Sequence, residues 1–243
     1  MRRAALAALA AAIVAGSATA ATPIYIPPSP TKVCAGLPFC FGITGPWVVV
    51  PAKGEATFLL DCPVRAASRS AFLIGGADSL ASSKTIRVWY DGNLATPIGS
   101  PTSTVNGLLF HAIANDGRAG TFQPILGCID LRQASKRSTV SARLATAPPS
   151  APHAAPSPTP RSKLLVLEPG WSRTLTVSCL RRETLVGTWN AYAFGTETPP
   201  VLPPPGAVRI RTAESRRNVT ASIRTAASIP HLVEVQVGAL CER

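Results

Sequence analysis

Two stretches, Ala56-Thr57-Phe58-Leu59-Leu60-Asp61-Cys62 and Arg173-Thr174-Leu175-Thr176-Val177-Ser178-Cys179, share one plan. Successive side chains of a β-strand point to opposite faces. Phe58, Leu60 and Cys62 therefore share a face, as do Leu175, Val177 and Cys179. Each triplet lines a core and carries its cysteine into it. Upstream of each lies an apolar run closed by a Pro/Gly turn. In the first half this is Trp47-Val48-Val49-Val50-Pro51 with Gly54, and in the second it is Leu164-Leu165-Val166-Leu167-Glu168-Pro169-Gly170.

Each half also closes on a cysteine. Phe122, Leu126 and Cys128 share parity near the end of the first half, and Val233, Val235, Val237 and Cys241 do so at the end of the second. A strand near the start and a strand at the end, each with an inward cysteine, predict one long-range disulfide per half. The expected pairs are Cys62–Cys128 and Cys179–Cys241, tying strands across a core as in immunoglobulin-like sandwiches. Short strand-like runs fill the intervals between turn signals. Ala71-Phe72-Leu73-Ile74 meets Gly75-Gly76, and Thr85-Ile86-Arg87-Val88-Trp89-Tyr90 meets the hairpin dipeptide Asp91-Gly92. Leu108 to Ile113 meets Asn115-Asp116-Gly117, and Ala207 to Arg211 precedes Val219 to Ile223. With no amphipathic helix of ordinary length, the pattern predicts an all-β chain of two tandem sandwich domains.

Residues 145–162, ATAPPSAPHAAPSPTPRS, hold six prolines and no large apolar residue. Such a segment favours extended polyproline conformations and buries no core. It divides the chain into a first sandwich over 46–144 and a second over 163–243, which predicts two separately folding pieces. Residues 21–45 form an arm rich in proline and aliphatics. Within it, Cys34 and Cys40 predict a small disulfide loop that presents Leu37 and Phe39 or staples the arm onto the first sandwich.

The N-terminus has the form of an export signal. Arg2 and Arg3 precede an uncharged Leu6–Val14 run, and Ala18-Thr19-Ala20 supplies a small-residue cleavage site. The run is too short for a membrane span, which needs about 20 apolar residues. Residues 1–20 are therefore read as a cleavable signal peptide and the rest as secreted or held at the extracellular cell envelope. The 243-residue chain contains six cysteines, all beyond residue 20. An even count in an exported chain is a disulfide framework. The cysteine spacings do not make the close ligand pairs of a zinc site, so no metal is expected.

The net charge of +12 favours contact with anionic partners. The basic residues are scattered, with short clusters at Lys136-Arg137, Arg181-Arg182 and Arg216-Arg217. Arg209 and Arg211 share a strand face. None of these makes the basic run of a nucleic-acid arm. The three histidines, His111, His153 and His231, are separated between strands of different halves and the spacer, and no G-x-S-x-G elbow is present. Asp61, Asp78, Asp91, Asp116 and Asp130 sit mainly at turns, where aspartate serves local hydrogen bonding. Neither a nucleophile–base set nor a carboxylate pair across a cleft is legible, so no catalytic residue and no cofactor are assigned. Trp89 and Tyr90, beside the Asp91-Gly92 turn, are the candidate exposed aromatic pair. Adjacent strand residues point opposite ways, and one of the two must face outward unless covered.

Cys62-Pro63, Leu73-Ile74-Gly75-Gly76-Ala77 and Gly127-Cys128-Ile129 in the first half, with Cys179-Leu180, Val186-Gly187-Thr188 and Leu240-Cys241 in the second, resemble a known pattern. It is that of the small disulfide-bridged β-sandwich modules found in many secreted bacterial proteins of unassigned function. The resemblance implies the fold and brings no agreed chemistry. The expected function is a non-catalytic extracellular binding or envelope module, its partner an anionic cell-surface polymer or an extracellular protein. The alternative is an extracellular enzyme, or enzyme-associated domain, acting on cell-wall or glycan material.

Overall fold

A computed structural model describes residues 32–34, 39–63, 72–91, 107–130 and 158–243. Among these the chain is all-β, with three disulfides and no α-helix. The first half contributes β1 (Cys40–Thr44), β2 (Trp47–Val50), β3 (Glu55–Asp61), β4 (Phe72–Ala81), β5 (Ile86–Asp91), β6 (Gly107–Ala114) and β7 (Gly120–Asp130). The second contributes β8 (Thr159–Leu167), β9 (Ser172–Ser178), β10 (Thr184–Phe194), β11 (Val208–Glu214), β12 (Asn218–Thr225) and β13 (Val233–Glu242).

In the first half β7 pairs with β4 on one side and with β1 and β2, end to end, on the other. The break between β1 and β2 has a local cause. Gly45 donates its N–H to the Pro124 carbonyl at 2.8 Å, and a Cβ at Gly45 would lie 2.8 Å from the Pro124 ring. The buried Gln123 amide then donates to the Gly45 carbonyl at 3.0 Å, filling the gap in the ladder. Facing this sheet is β3-β6-β5, and between the two lie Phe58, Phe110, Phe122, Leu108, Leu126 and Ile74. The second half follows the same strand order: β8-β13-β10 faces β9-β12-β11 across Val177, Val219, Ile223, Val233, Val235 and Val237. Burying one such side chain contributes about 1.5–3 kcal/mol, so each core is a substantial term by itself.

The long bridges join Cys62 at the end of β3 to Cys128 in β7, and Cys179 after β9 to Cys241 in β13. All four sulfurs lie in the two cores. These pairs, with Cys34–Cys40, are those expected from parity and spacing. Parity also places Phe58 and Val177 inward, both almost fully buried.

Three expectations need correction. The first concerns Gly75-Gly76, which does not end a strand. β4 runs through it to Ala81 with a bulge between Ile74 and Gly76. Gly76 stands opposite Gly127 on β7, and a Cβ at either would collide with the Val33 carbonyl. The glycines clear a bed for the single 3-10 turn Lys32–Cys34, whose Val33 is 3 % exposed. The described part of the arm is thus stapled onto the first half. Its Cys40 begins β1, a strand of the main sheet inside the segment read as an arm.

The second concerns the boundary of the spacer. β8 begins at Thr159, inside the proline-rich segment, and pairs with β13 from Thr159↔Cys241 onward. It is an edge strand, where a proline such as Pro160 costs no ladder bond on its open side. Residues 131–157, with most of the spacer, and residues 1–31 and Leu37 lie outside the described residues.

The third concerns independence of the halves. One seven-stranded sheet runs through both, because β2 also pairs with β10 at Val48↔Ala193 and Trp47↔Phe194. Alternation along β2 sends Val48 and Val50 into the first core and Val49 into the second. The two three-stranded sheets therefore cover opposite faces of the shared sheet. Leu59 and Leu109, on the outer face of β3-β6-β5, are buried against Trp189 of β10 with Leu240 beside it. The Trp189 indole lies so close over Gly238 that no side chain fits there. Gln236, 4 % exposed, completes the contact. It accepts from the Leu59 N–H at 2.7 Å, donates to the Leu59 carbonyl at 2.8 Å, and accepts from Trp189 Nε1 at 3.3 Å. β3 is an edge strand, and this one amide satisfies backbone groups that a missing neighbour would leave open.

Candidate functional site

β12 explains how the second half presents its charge. Val219, Ala221, Ile223 and Thr225 are buried, while Asn218, Thr220, Ser222 and Arg224 face outward. Cross-strand register extends that outward face. Arg224 lies opposite Arg209 of β11 and Ser172 of β9, and Ser222 lies opposite Arg211 and Thr174. Thr220 follows, between Ala213 and Thr176, with the two threonine hydroxyls 3.1 Å apart. The face therefore carries arginines and hydroxyls and no carboxylate. Glu214, at the end of β11, instead accepts from the Thr188 hydroxyl of β10 at 2.6 Å.

At the start of β12 the hairpin tip Ser215–Asn218 meets the loop between β9 and β10. Together they form a cleft of about 500 Å3 lined by Arg181, Arg182, Glu183, Arg216, Arg217 and neighbouring Ser and Thr. Its walls are stitched together. The Cys179 N–H donates to the Arg217 carbonyl at 2.8 Å, Leu185 N–H to the Arg216 carbonyl at 3.1 Å, and Arg217 Nη1 to the Arg181 carbonyl at 3.2 Å. The four arginines are exposed to water, with Arg217 Nη1 already taken by the Arg181 carbonyl. Glu183 does not cancel them. Its side chain is 5 % exposed and grips Arg161 through both oxygens, at 2.8 and 3.1 Å, while the Leu180 N–H donates to it at 2.8 Å. A guanidinium fork matches phosphate, sulfate and carboxylate oxygens two at a time.

The Arg161 guanidinium, and then the Leu180 N–H, hold the Glu183 carboxyl below its usual value of 4.5. A carboxyl depressed on folding adds stability that is fully present above the unfolded value and is lost as pH falls through the folded one. Urea midpoints should therefore drop as pH falls below 4.5, and Glu183→Gln should flatten that acid limb. Equal slopes in the two proteins would show that this pair does not govern it.

Glu183 also lies near the sulfurs of Cys179 and Cys241. Those sulfurs are joined in a disulfide and offer no thiolate to a metal. The aromatic candidates fall in the other half. Trp89 stacks on His111 with ring centroids 5.5 Å apart, next to Thr57, on the outer face of β3-β6-β5. His111 pairs there with Glu55, and Thr57 Oγ1 is 3.1 Å from His111 Nδ1. Tyr90 is 38 % exposed and leans on Phe110 at the open edge of the first core. Phe39 is half-buried with φ 59°, and its carbonyl accepts from the Asp130 N–H. Phe39 and the Trp89–Tyr90 pair thus belong to separate places and do not converge with the arginine cleft.

The cleft is what the sequence reading missed. Arg181-Arg182 and Arg216-Arg217 are over thirty residues apart and look like separate scattered pairs. A legible signal exists in hindsight of register. Arg181 follows Cys179 at the end of one strand, and Arg217 precedes Asn218 at the start of the strand that pairs with it, Asn218↔Ser178. No known protein family, curated protein or solved structure matches the chain. Among the described residues no helix is long and apolar enough to cross a membrane.

Proposed function

We propose that the chain is a secreted, non-catalytic module of the cell envelope that holds an anionic polymer in the arginine cleft of its second half. The single observation that carries this reading is the convergence of Arg181, Arg182, Arg216 and Arg217 on one cleft in which, among the described residues, the one lining carboxylate is Glu183, already paired with Arg161. Three disulfides are consistent with an extracellular or oxidising location. The shared strand order of the halves, each with a bridge from the strand β3 or β9 to the closing strand, supports a tandem pair of immunoglobulin-like sandwiches. Such a scaffold offers fixed loops at its ends, where binding sites sit.

Binding of dextran sulfate, with neutral dextran as control, tests the reading. Affinity should fall about tenfold or more between roughly 50 and 200 mM salt, because each neutralised charge releases a counterion. Arg216→Ser with Arg217→Ser should weaken binding about tenfold, whereas Arg87→Ser on β5 of the first half should leave it unchanged. Equal binding of neutral dextran, or an undiminished double variant, would refute it.

A further inference from the structure

A second cleft, of about 400 Å3, lies at the far end of β12. It is lined by Gly170, Gly206, Arg209, Arg224 and the start of the turn after β12. Arg209 and Arg224 are the cross-strand pair of the outward face. The two clefts are thus the two ends of one sheet face, about 25 Å apart for an eight-residue strand rising ~3.3 Å per residue. Between them runs the row of Arg211, Ser222, Thr174, Thr220 and Thr176, which offers a guanidinium and hydroxyl donors to oxyanions.

What the face lacks narrows the ligand. The outward positions of β9, β12 and β11 hold no aromatic side chain. Proteins that hold single-stranded nucleic acid combine a basic groove with aromatic platforms on which bases stack. Trp171, exposed just ahead of β9, has its ring occupied by Arg173, whose guanidinium carbon lies 4.8 Å from the centroid. Recognition here falls on charged oxygens along a chain, not on rings.

We infer that the outer face of β9-β12-β11 is a track for a linear polymer of repeated oxyanions, for which polyphosphate is the probe, that lies along β12 and engages the arginine clefts at both ends. This rests on the anionic-polymer reading above and adds the ligand's length and direction. The polymer's oxygens take bidentate guanidinium contacts in the first cleft, hydroxyl contacts along the sheet, and the Arg209–Arg224 pair at the far end.

Length dependence is the test. Long-chain inorganic polyphosphate reaches both clefts, whereas tripolyphosphate reaches one. The long chain should bind at least about a hundredfold more tightly, since the second contact becomes intramolecular. Arg209→Ser with Arg224→Ser should cost long-chain binding about a hundredfold, bringing it close to tripolyphosphate, and leave tripolyphosphate bound in the first cleft unaffected. Arg216→Ser with Arg217→Ser should weaken both ligands. If both ligands bind with equal affinity per phosphate, or if the far-end variant changes nothing, the track is refuted while the anion cleft stands. Preference for a single-stranded oligonucleotide of equal charge also refutes it. If neither polyphosphate nor dextran sulfate binds, the anionic-polymer reading itself fails, and the track with it.

Discussion

Gln236→Leu should lower the stability of the chain by about 3–5 kcal/mol. Leucine is similar in bulk but cannot replace the amide. The Leu59 N–H, the Leu59 carbonyl and Trp189 Nε1 would all lose their partner in a dry contact. An orphaned buried polar group costs about 1–3 kcal/mol. Gln236 lies on β13 and Leu59 on β3, so the damage should cross from one half to the other. Urea denaturation gives the magnitude, and hydrogen exchange gives the location. The amides of Leu59 and Leu109, in the first half, should lose protection although the substitution is in the second. A loss under about 1 kcal/mol, or protection changes confined to the second half, would show that the halves do not share this contact.

Removing the Cys179–Cys241 bridge, as Cys179→Ser with Cys241→Ser, should cost about 4 kcal/mol. The bridge closes a loop of 62 residues, and the chain-entropy relation gives about that figure, less any relaxation of the native state. The Cys62–Cys128 bridge, closing 66 residues, should matter equally. The Cys34–Cys40 loop of six should matter about half as much. Two separate sandwiches would confine each loss to its own half. The shared sheet instead predicts that loosening β13 also weakens β10, and through Val48↔Ala193 reaches β2. Two resolved melting transitions, one unchanged from the parent protein, would contradict this.

Strand parity was enough for the cores because each core needs only one strand's own alternation. Phe58 and Cys62, and Val177 and Cys179, are buried as the period of two requires. Contacts between halves follow no such period. Leu59, Leu109 and Gln236 occupy the positions that alternation assigns to the outside, and they are buried because the other half lies on them. Gly76 reads as a turn residue, yet it is there to let Val33 cross the sheet. A glycine signals close approach as well as a change of direction, and the sequence alone does not separate the two. The arginine cleft was hidden for a related reason. Its four charges come from two loops that meet only through the pairing of β9 with β12.

The shared sheet also bears on how the basic face is presented. β9-β12-β11 packs only on the second core, and the first half covers the opposite face of the central sheet. Among the described residues, none of the first half pairs with or packs on the outward side of β12. The hydroxyl- and arginine-bearing positions between the clefts sit on paired strands, whose backbone needs no ordering on binding.

Arginine-directed chemical modification, read residue by residue by mass spectrometry with and without dextran sulfate, tests the central claim most directly. Bound polymer should protect Arg181, Arg182, Arg216 and Arg217 strongly, while Arg87 and Arg118 of the first half remain as reactive as in the free protein. Protection spread evenly over both halves, or centred away from the cleft, would contradict the account.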